Sequence, residues 1–209
     1  MDAHFCEPKY NQIMKKIILF IAIVCTSTLG FSQEVSGGLR LGMNIANQSI
    51  SASGITISPD SKIGLMAGGY VTIMTSAKFG VQPELYYSQM GFSLTSGGQT
   101  AKGSYSYLSL PVMLKYKLTE NFSLEAGPQL SILMSASGTS GSTTTDVKDQ
   151  TTGIDFGGAF GLGLDFGKFN AGARYYLGFS NLIKDTNGTD AKQTNNAFQL
   201  FVGYALFGK

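Results

Sequence analysis

The groups of this sequence that could do chemistry are eight charged residues, which lie on the polar side of segments in which polar and apolar residues alternate. Four are cations and four are carboxylates: Arg40, Lys115, Lys117 and Arg174, together with Glu84, Glu125, Asp155 and Asp165. Charges inside a protein persist only when they are paired and hydrogen-bonded. The balance of signs therefore predicts a network of ion pairs.

Acid–base catalysis and metal binding are the other chemistries to consider. Two carboxylates such as Glu84 and Glu125 could in principle act as acid and base. The residues that other mechanisms need lie only near the N-terminus: His4, Cys6 and Cys25. If that part is removed, the chain has no His for a Ser-His-Asp hydrolase and no soft ligand for zinc. The sequence therefore predicts a protein that is not an enzyme and that holds no cofactor.

The loop carboxylates could hold a calcium ion, but their spacing matches no calcium-binding loop. They are Asp146, Asp149, Asp185 and Asp190. We interpret them as solvated charges.

The N-terminal residues have the pattern of an export signal. Met14-Lys15-Lys16 gives a positive start, residues 17–24 are an unbroken apolar run, and Gly30-Phe31-Ser32 has the small residues that a signal peptidase recognises. The apolar run is shorter than the roughly 20 residues that a spanning helix needs. An uncleaved signal anchor and a lipid attached to Cys25 are the alternatives.

These features predict three parts of the chain. Residues 1–13 are an extension before the true start, residues 14–32 are a signal peptide, and residues 33–209 are one barrel domain.

The barrel domain contains eight segments in which apolar and polar residues alternate with a period of two, as in a strand with two different faces. The apolar faces carry no charged residue and begin at Val35, Ile63, Phe79, Leu108, Phe122, Ile154, Phe169 and Phe198. Tight turns alternate with longer polar connections at about residues 48–61, 96–103, 137–152 and 183–195. This arrangement predicts an all-β fold, an eight-stranded antiparallel up-and-down transmembrane β-barrel with both termini on the periplasmic, short-turn side.

Composition indicates which face meets lipid. Charged residues make up only 13% of the chain, and the polar faces are mostly Gly, Ser, Ala, Gln and Asn, which suit the crowded inside of an eight-stranded barrel. Aromatic residues fall at the two ends of the segments, as at the two membrane interfaces. They are Phe79, Tyr116, Phe122, Phe166 and Phe169 at the short-turn end, and Phe92, Phe156, Phe179 and Phe198 at the other. The alternative is a soluble, lipocalin-like periplasmic barrel that binds an apolar ligand.

Three prolines lie within predicted strands, where each removes a hydrogen bond of the ladder. They are Pro83, Pro111 and Pro128. We expect β-bulges to accommodate them, although the sequence does not say where along the strands the bulges lie.

The run at 79–89, FGVQPELYYSQ, resembles the most characteristic strand of the PorT-type outer-membrane β-barrel family of Bacteroidetes. The runs at 107–112, YLSLPV, and at 126–130, AGPQL, resemble the next two strands of that family. The resemblance implies the outer membrane of a Gram-negative bacterium and implies little about activity, although the family's namesake is implicated in type IX secretion.

The function that follows is a non-enzymatic integral outer-membrane protein with a lumen plugged by charge, acting at the cell surface or as an accessory to protein export. We expect the plug to consist of seven residues: Arg40, Glu84, Lys115, Lys117, Glu125, Asp165 and Arg174. A narrow channel for ions or solutes, lined by the same groups, is the alternative.

The expected partners are outer-membrane lipid, the barrel assembly machinery during insertion and a surface or secretion-system protein. The net charge of +2 provides no basic field for nucleic acid.

Overall fold

The computed structural model describes residues 34–52, 55–57, 59–96, 99–184 and 191–208. The predicted extension at 1–13 and signal peptide at 14–32 lie outside these residues. Across the described ranges, no helix has the length and apolar character needed to cross a membrane.

The described chain forms ten strands and one short 3-10 helix. The strands are β1 (Glu34–Ala52), β2 (Ile55–Ile57), β3 (Asp60–Met74), β4 (Phe79–Ser96), β5 (Gln99–Lys117), β6 (Phe122–Ser140), β7 (Thr143–Asp146), β8 (Ile154–Phe166), β9 (Phe169–Gly178) and β10 (Lys192–Phe207). The helix spans Lys148–Gln150.

Eight long strands form a closed antiparallel ring in the order β1, β3, β4, β5, β6, β8, β9 and β10. The ring closes because β10 pairs with β1, where Leu41 lies opposite Val202. The predicted eight-stranded barrel is therefore confirmed. The short strands β2 and β7 extend hairpins from β1 and β6.

Side chains alternate between the outside and the lumen along each long strand. Leu41 is 63% exposed on the outside, whereas Arg40, one residue before it, is 5% exposed inside the barrel. The outer surface is covered by exposed Leu, Ile, Val, Phe and Tyr, which lipid solvates well and water does not. A soluble barrel would need the opposite arrangement.

One aromatic residue departs from the predicted belts. Phe92 packs against the buried cluster around Tyr105 and lines a cavity at the end of the barrel, so it faces inward. The reason is its register, because buried residues of β4 such as Glu84, Tyr86 and Met90 have the same even parity.

The two ends of the barrel differ in the length of their connections. At the turn end, residues 75–78, 118–121 and 167–168 join successive strands. At the opposite end, called here the loop end, the strands run further than predicted. β4 reaches Ser96 and β5 begins at Gln99, where a loop at 96–103 was expected.

The polar segments at the loop end still form paired strands, because neighbouring strands hydrogen-bond to one another's backbone N–H and C=O groups. Hydroxyl pairs across the hairpins accompany the pairing: Thr95 with Thr100 at 3.2 Å, and Thr139 with Thr144 at 3.0 Å between oxygens.

The expectation of bulges at the prolines was wrong. Pro83 lies opposite Val112, and pairing resumes in the same register where Tyr86 lies opposite Ser109. Pairing also continues in register beyond Pro111 and Pro128. Each missing N–H is therefore tolerated without an inserted residue. The irregularities of register lie elsewhere: between Gly37 and Gly38, between Ser61 and Met66, and between Ser106 and Tyr107.

Candidate functional site

The lumen contains a charge network centred on Arg174 of β9, whose side chain is 1% exposed. Its Nη1 donates to Glu84 Oε2 at 2.8 Å, and its Nε donates to Glu125 Oε2 at 2.9 Å. Its Nη2 donates to both carboxylates, to Glu84 Oε1 and Glu125 Oε2, each at 2.6 Å. One guanidinium thus joins carboxylates from β4 and β6 by four charge-assisted hydrogen bonds, the strong kind.

A second guanidinium, that of Arg40, also contacts Glu84. Arg40 Nη1 of β1 donates to Glu84 Oε1 at 2.6 Å, and Gln82 Nε2 donates to the same oxygen at 2.6 Å. The Arg40 guanidinium also lies over two rings, 4.0 Å from the centroid of Phe201 and 4.7 Å from that of Tyr70. Its charge is therefore stabilised by a carboxylate and by two aromatic faces.

Lys115 of β5 extends the network towards the turn end. Its Nζ lies 2.8 Å from Asp165 Oδ2 and 3.8 Å from Glu125 Oε1. Asp165 is the most exposed member, with its side chain 17% exposed. Three cations and three carboxylates therefore form one connected set with no net charge.

Lys117 is the one predicted member that this set does not include. Within the described part of the chain it forms no ion pair, and it lines the opening at the turn end with Glu34 and Lys168. The reason is its depth, since Lys117 is the last residue of β5 and reaches water.

All eight long strands contribute a side chain to the network. Six supply the charges, and the remaining two supply rings against Arg40: Tyr70 from β3 and Phe201 from β10. The Tyr70 hydroxyl accepts a hydrogen bond from Asn170 Nδ2 at 2.6 Å. Arg174 also lies over Phe201, 4.7 Å from its centroid. Side chains from all around the ring therefore contribute to the network.

Glycine makes room for these groups. A Cβ atom on Gly163 would lie 2.7 Å from Glu125 Oε1 and 2.7 Å from Ser123 Oγ, closer than Cβ atoms come. The glycine-rich run of β8 thus serves packing of the lumen.

The residues that sequence reasoning missed are the neutral partners of the charges: Tyr70, Gln82, Asn170 and Phe201. Their signal was present as parity, because each has the parity of a lumen residue on its own strand. Phe201, for example, lies between the outward Leu200 and Val202.

Asp155, the one charge of the eight that was not among the seven expected plug residues, lies apart from the network. It is fully buried, and its Oδ2 accepts a hydrogen bond from Asn195 Nδ2 at 2.9 Å.

The loop end opens into a cavity of about 1080 Å³, called here the cup. Its lining combines hydroxyl groups, amides, two lysines and apolar side chains, including Thr139, Gln193, Lys102, Lys184 and Leu182. Leu182, which lines the cup, is only 2% exposed.

The described ranges contain no group of three or more His, Cys, Asp or Glu residues that could hold a metal ion.

Comparison with known proteins adds the family. The family model described as "Outer membrane protein beta-barrel domain" matches residues 31–184, well over half of the 209 residues. The chain belongs to this family. The membership and the fold together assign this outer membrane protein beta-barrel domain to the outer membrane and its lipid.

Solved structures similar to this outer membrane protein beta-barrel domain come from several bacteria. Neisserial surface protein A (NspA) is 12% identical, with a TM-score of 0.52, over 81% of this chain and 97% of that chain. Ail, the attachment invasion locus protein of Yersinia pestis, solved with the heparin analogue sucrose octasulfate, is 16% identical, with a TM-score of 0.47, over 83% and 99%. OprG from Pseudomonas aeruginosa is 15% identical, with a TM-score of 0.42, over 85% and 96%.

At these identities the similarity to NspA supports the fold alone. No protein with a curated description matches the chain significantly.

Proposed function

We propose that this protein is a non-enzymatic outer-membrane barrel whose lumen is closed by the charge network and whose loop end engages a partner at the cell surface. The observation that supports the proposal is that all eight long strands contribute a side chain to the network, and that six of them contribute a charged one. An eight-stranded barrel is only just wide enough for its own side chains. Ions would have to break buried pairs to pass.

The loop end is the better candidate for a docking surface because of the shapes of the two ends. The turn end offers only connections of two to four residues. At the loop end the strands continue as hairpins, β7 adds to the edge of β6, and the cup provides a concave surface lined by both polar and apolar side chains. A partner of the cell surface would find most of its contact area there.

An accessory role in protein export, which the resemblance to the PorT-type family suggests, would instead use the turn end. Cross-linking from both ends separates these roles. Partners captured from Thr144 support the surface role, whereas partners captured only from Lys78 support the export role. Both positions are exposed, so the two probes are matched in accessibility.

Conductance tests the closed lumen. In planar lipid bilayers we expect the purified barrel to give no single-channel steps, and Glu84→Gln to behave likewise, because the pairs of Arg174 with Glu125 remain. The matched control is Asp149→Asn, which removes a carboxylate of the loop end that no ion pair among the described residues uses. Steps in the wild type that change with Glu84→Gln but not with Asp149→Asn would establish the channel and overturn the proposal.

The orientation of the barrel in the membrane is a further expectation. The first strand begins and the last strand ends at the turn end, where Glu34 pairs with Met74 and Gly37 with Phe207. We place this end in the periplasm. An epitope inserted between Gly141 and Ser142 should bind antibody on intact cells, and one between Ala77 and Lys78 only after the outer membrane is permeabilised. The reverse pattern would contradict the orientation.

A further inference from the structure

The side chain of Lys62 on β3 lies across the outer face of the barrel wall, the face that points away from the lumen. Its Nζ donates to Ser104 Oγ on β5, two strands away, and lies 3.5 Å from the carbonyl oxygen of Gly103. Ser104 faces outward, because the next residue, Tyr105, belongs to the buried cluster on the lumen side and successive side chains of a strand alternate.

A glycine of the strand between them gives Lys62 its path to Ser104. A Cβ atom on Gly91 of β4 would lie 3.0 Å from Lys62 Cδ and closer still to the Gly103 carbonyl oxygen. The stem of Lys62 therefore lies over bare backbone, and its ammonium group is positioned at Ser104.

A second lysine, Lys102, lies beside the first. It precedes Ser104 by two residues on the same face of β5, at the rim where β5 also borders the cup, and it repels Lys62 electrostatically. Neither lysine belongs to any of the ion pairs among the described residues, and neither does Asp60, two residues before Lys62. Two neighbouring cations without a counter-ion are unfavourable, and an anion bound at both would remove the repulsion.

Hydroxyl groups complete a set of donors for such an anion. Ser93 of β4 lies opposite Lys102 in the register, so its side chain points to the same face. The Ser104 hydroxyl accepts from Lys62 and keeps its own proton to donate. Ammonium and hydroxyl groups together are the donors that phosphate oxygen atoms accept most readily.

The two lysines lie where the outer surface changes from apolar to polar. Ile63, directly after Lys62, is 68% exposed on the outer surface. On β4 the exposed ring of Tyr87 ends in a hydroxyl that donates to Ser106 Oγ at 2.8 Å, two residues from Ser104. Tyrosine with an apolar ring and a polar tip is typical of the membrane interface. The ammonium groups therefore lie at the level of the lipid headgroups in the leaflet at the loop end.

We propose that Lys62 and Lys102 bind the phosphate group of an anionic lipid in this leaflet. The hydroxyls of Ser93 and Ser104 are further donors to the phosphate. The acyl chains of the lipid lie against the apolar outer surface that continues from Ile63 and Tyr87 towards the turn end. This continuity favours a lipid over a soluble anion, which would use the charges and leave the apolar surface beside them uncovered.

The test is a titration of the barrel, purified in detergent micelles, with lipid A, a glycolipid that carries phosphate groups, followed by native mass spectrometry. We expect the wild type to retain one lipid A molecule. Lys62→Gln and Lys102→Gln should each raise the dissociation constant about fivefold, and the double variant about 25-fold, since a lysine near an anionic lipid surface contributes about 1 kcal/mol. Lipid A without its phosphates should bind the wild type no better than intact lipid A binds the double variant.

Three further variants separate this site from a general effect of charge. Lys148→Gln removes an exposed lysine of the 3-10 helix and should leave the dissociation constant unchanged. Lys62→Arg retains the cation and should retain binding. Asp60→Asn removes a carboxylate near the site and should tighten binding. All of these residues lie on the surface, so the variants are expected to fold.

Four outcomes would overturn the lipid site. Equal affinity of the wild type and the double variant would place the phosphate elsewhere. Equal binding of lipid A with and without phosphates would mean that the apolar surface alone holds it. Equal losses in Lys148→Gln and Lys62→Gln would mean attraction by net charge. Displacement of lipid A by inorganic phosphate would make a free anion the ligand.

Discussion

Replacing Arg174 with methionine is expected to lower the free energy of unfolding by about 3–5 kcal/mol, the usual effect of removing one partner of a buried charge pair. The substitution removes four charge-assisted hydrogen bonds and leaves Glu84 and Glu125 buried with Arg40 and Lys115 as their remaining cations. Methionine retains much of the apolar stem, so the loss would report charge more than volume. Urea unfolding in phospholipid vesicles, followed by circular dichroism, measures it.

Lys117→Met is the matched control, since it removes a cation from the same lumen that has no ion pair among the described residues. We expect it to change stability by no more than about 0.5 kcal/mol. Adding Glu125→Gln to the Arg174 variant should recover part of the loss, because the remaining charges are then paired as Arg40 with Glu84 and Lys115 with Asp165. Equal losses for the two single variants would contradict the central position of Arg174.

Introducing a charge on the outer surface should also be costly. Leu162 faces outward on β8, midway between Phe156 and Phe166 near the two ends of that strand. Leu162→Arg is expected to destabilise the barrel in vesicles by about 2–4 kcal/mol, the range for arginine at the bilayer midplane. The same measurement in vesicles detects it.

The control here is Thr144→Arg, at an exposed position of β7 in the loop end, where arginine meets water and should cost about 0.5 kcal/mol or less. The same loss at both positions would mean that the apolar face of β8 does not contact lipid. A loss only at Leu162 would locate the membrane along that strand.

The fold could be predicted from the sequence because one property recurs in every strand. A period of two assigns each residue to the lipid or to the lumen. The even number of segments places both termini of the barrel domain at the same end of the barrel. The same parity directs all seven predicted network residues towards the lumen, and the structure brings six of them into contact with one another.

The partners within the network could not be predicted, because parity gives a side chain its direction but not its height or its angle around the axis. Glu84, for instance, contacts Arg40 and Arg174, which lie 44 and 90 positions away. Lys117 had the right parity but lies too near the end of β5. Phe92 was predicted to belong to the outer aromatic belt because it lies near the loop end, although its parity along β4 indicates that it faces inward.

The predictions for the prolines and for the loop end failed for a different reason. Whether a strand tolerates a missing N–H, or continues into water, depends on what its neighbours offer to the backbone. This depends on the paired sheet as a whole, so the sequence of a single strand does not reveal it.

The closure of β1 on β10 has a consequence for how the correct barrel is selected. If these strands met two residues out of register, their own leucines would still face lipid, because the alternation repeats after two residues. Arg40, however, would move by about 7 Å along the strand relative to Phe201, away from the ring that it covers in the correct register. A barrel with this slipped register would present the same apolar surface to lipid, but the contacts inside its lumen would be incorrect. The ion pairs therefore distinguish between closures that the lipid surface alone treats as equal.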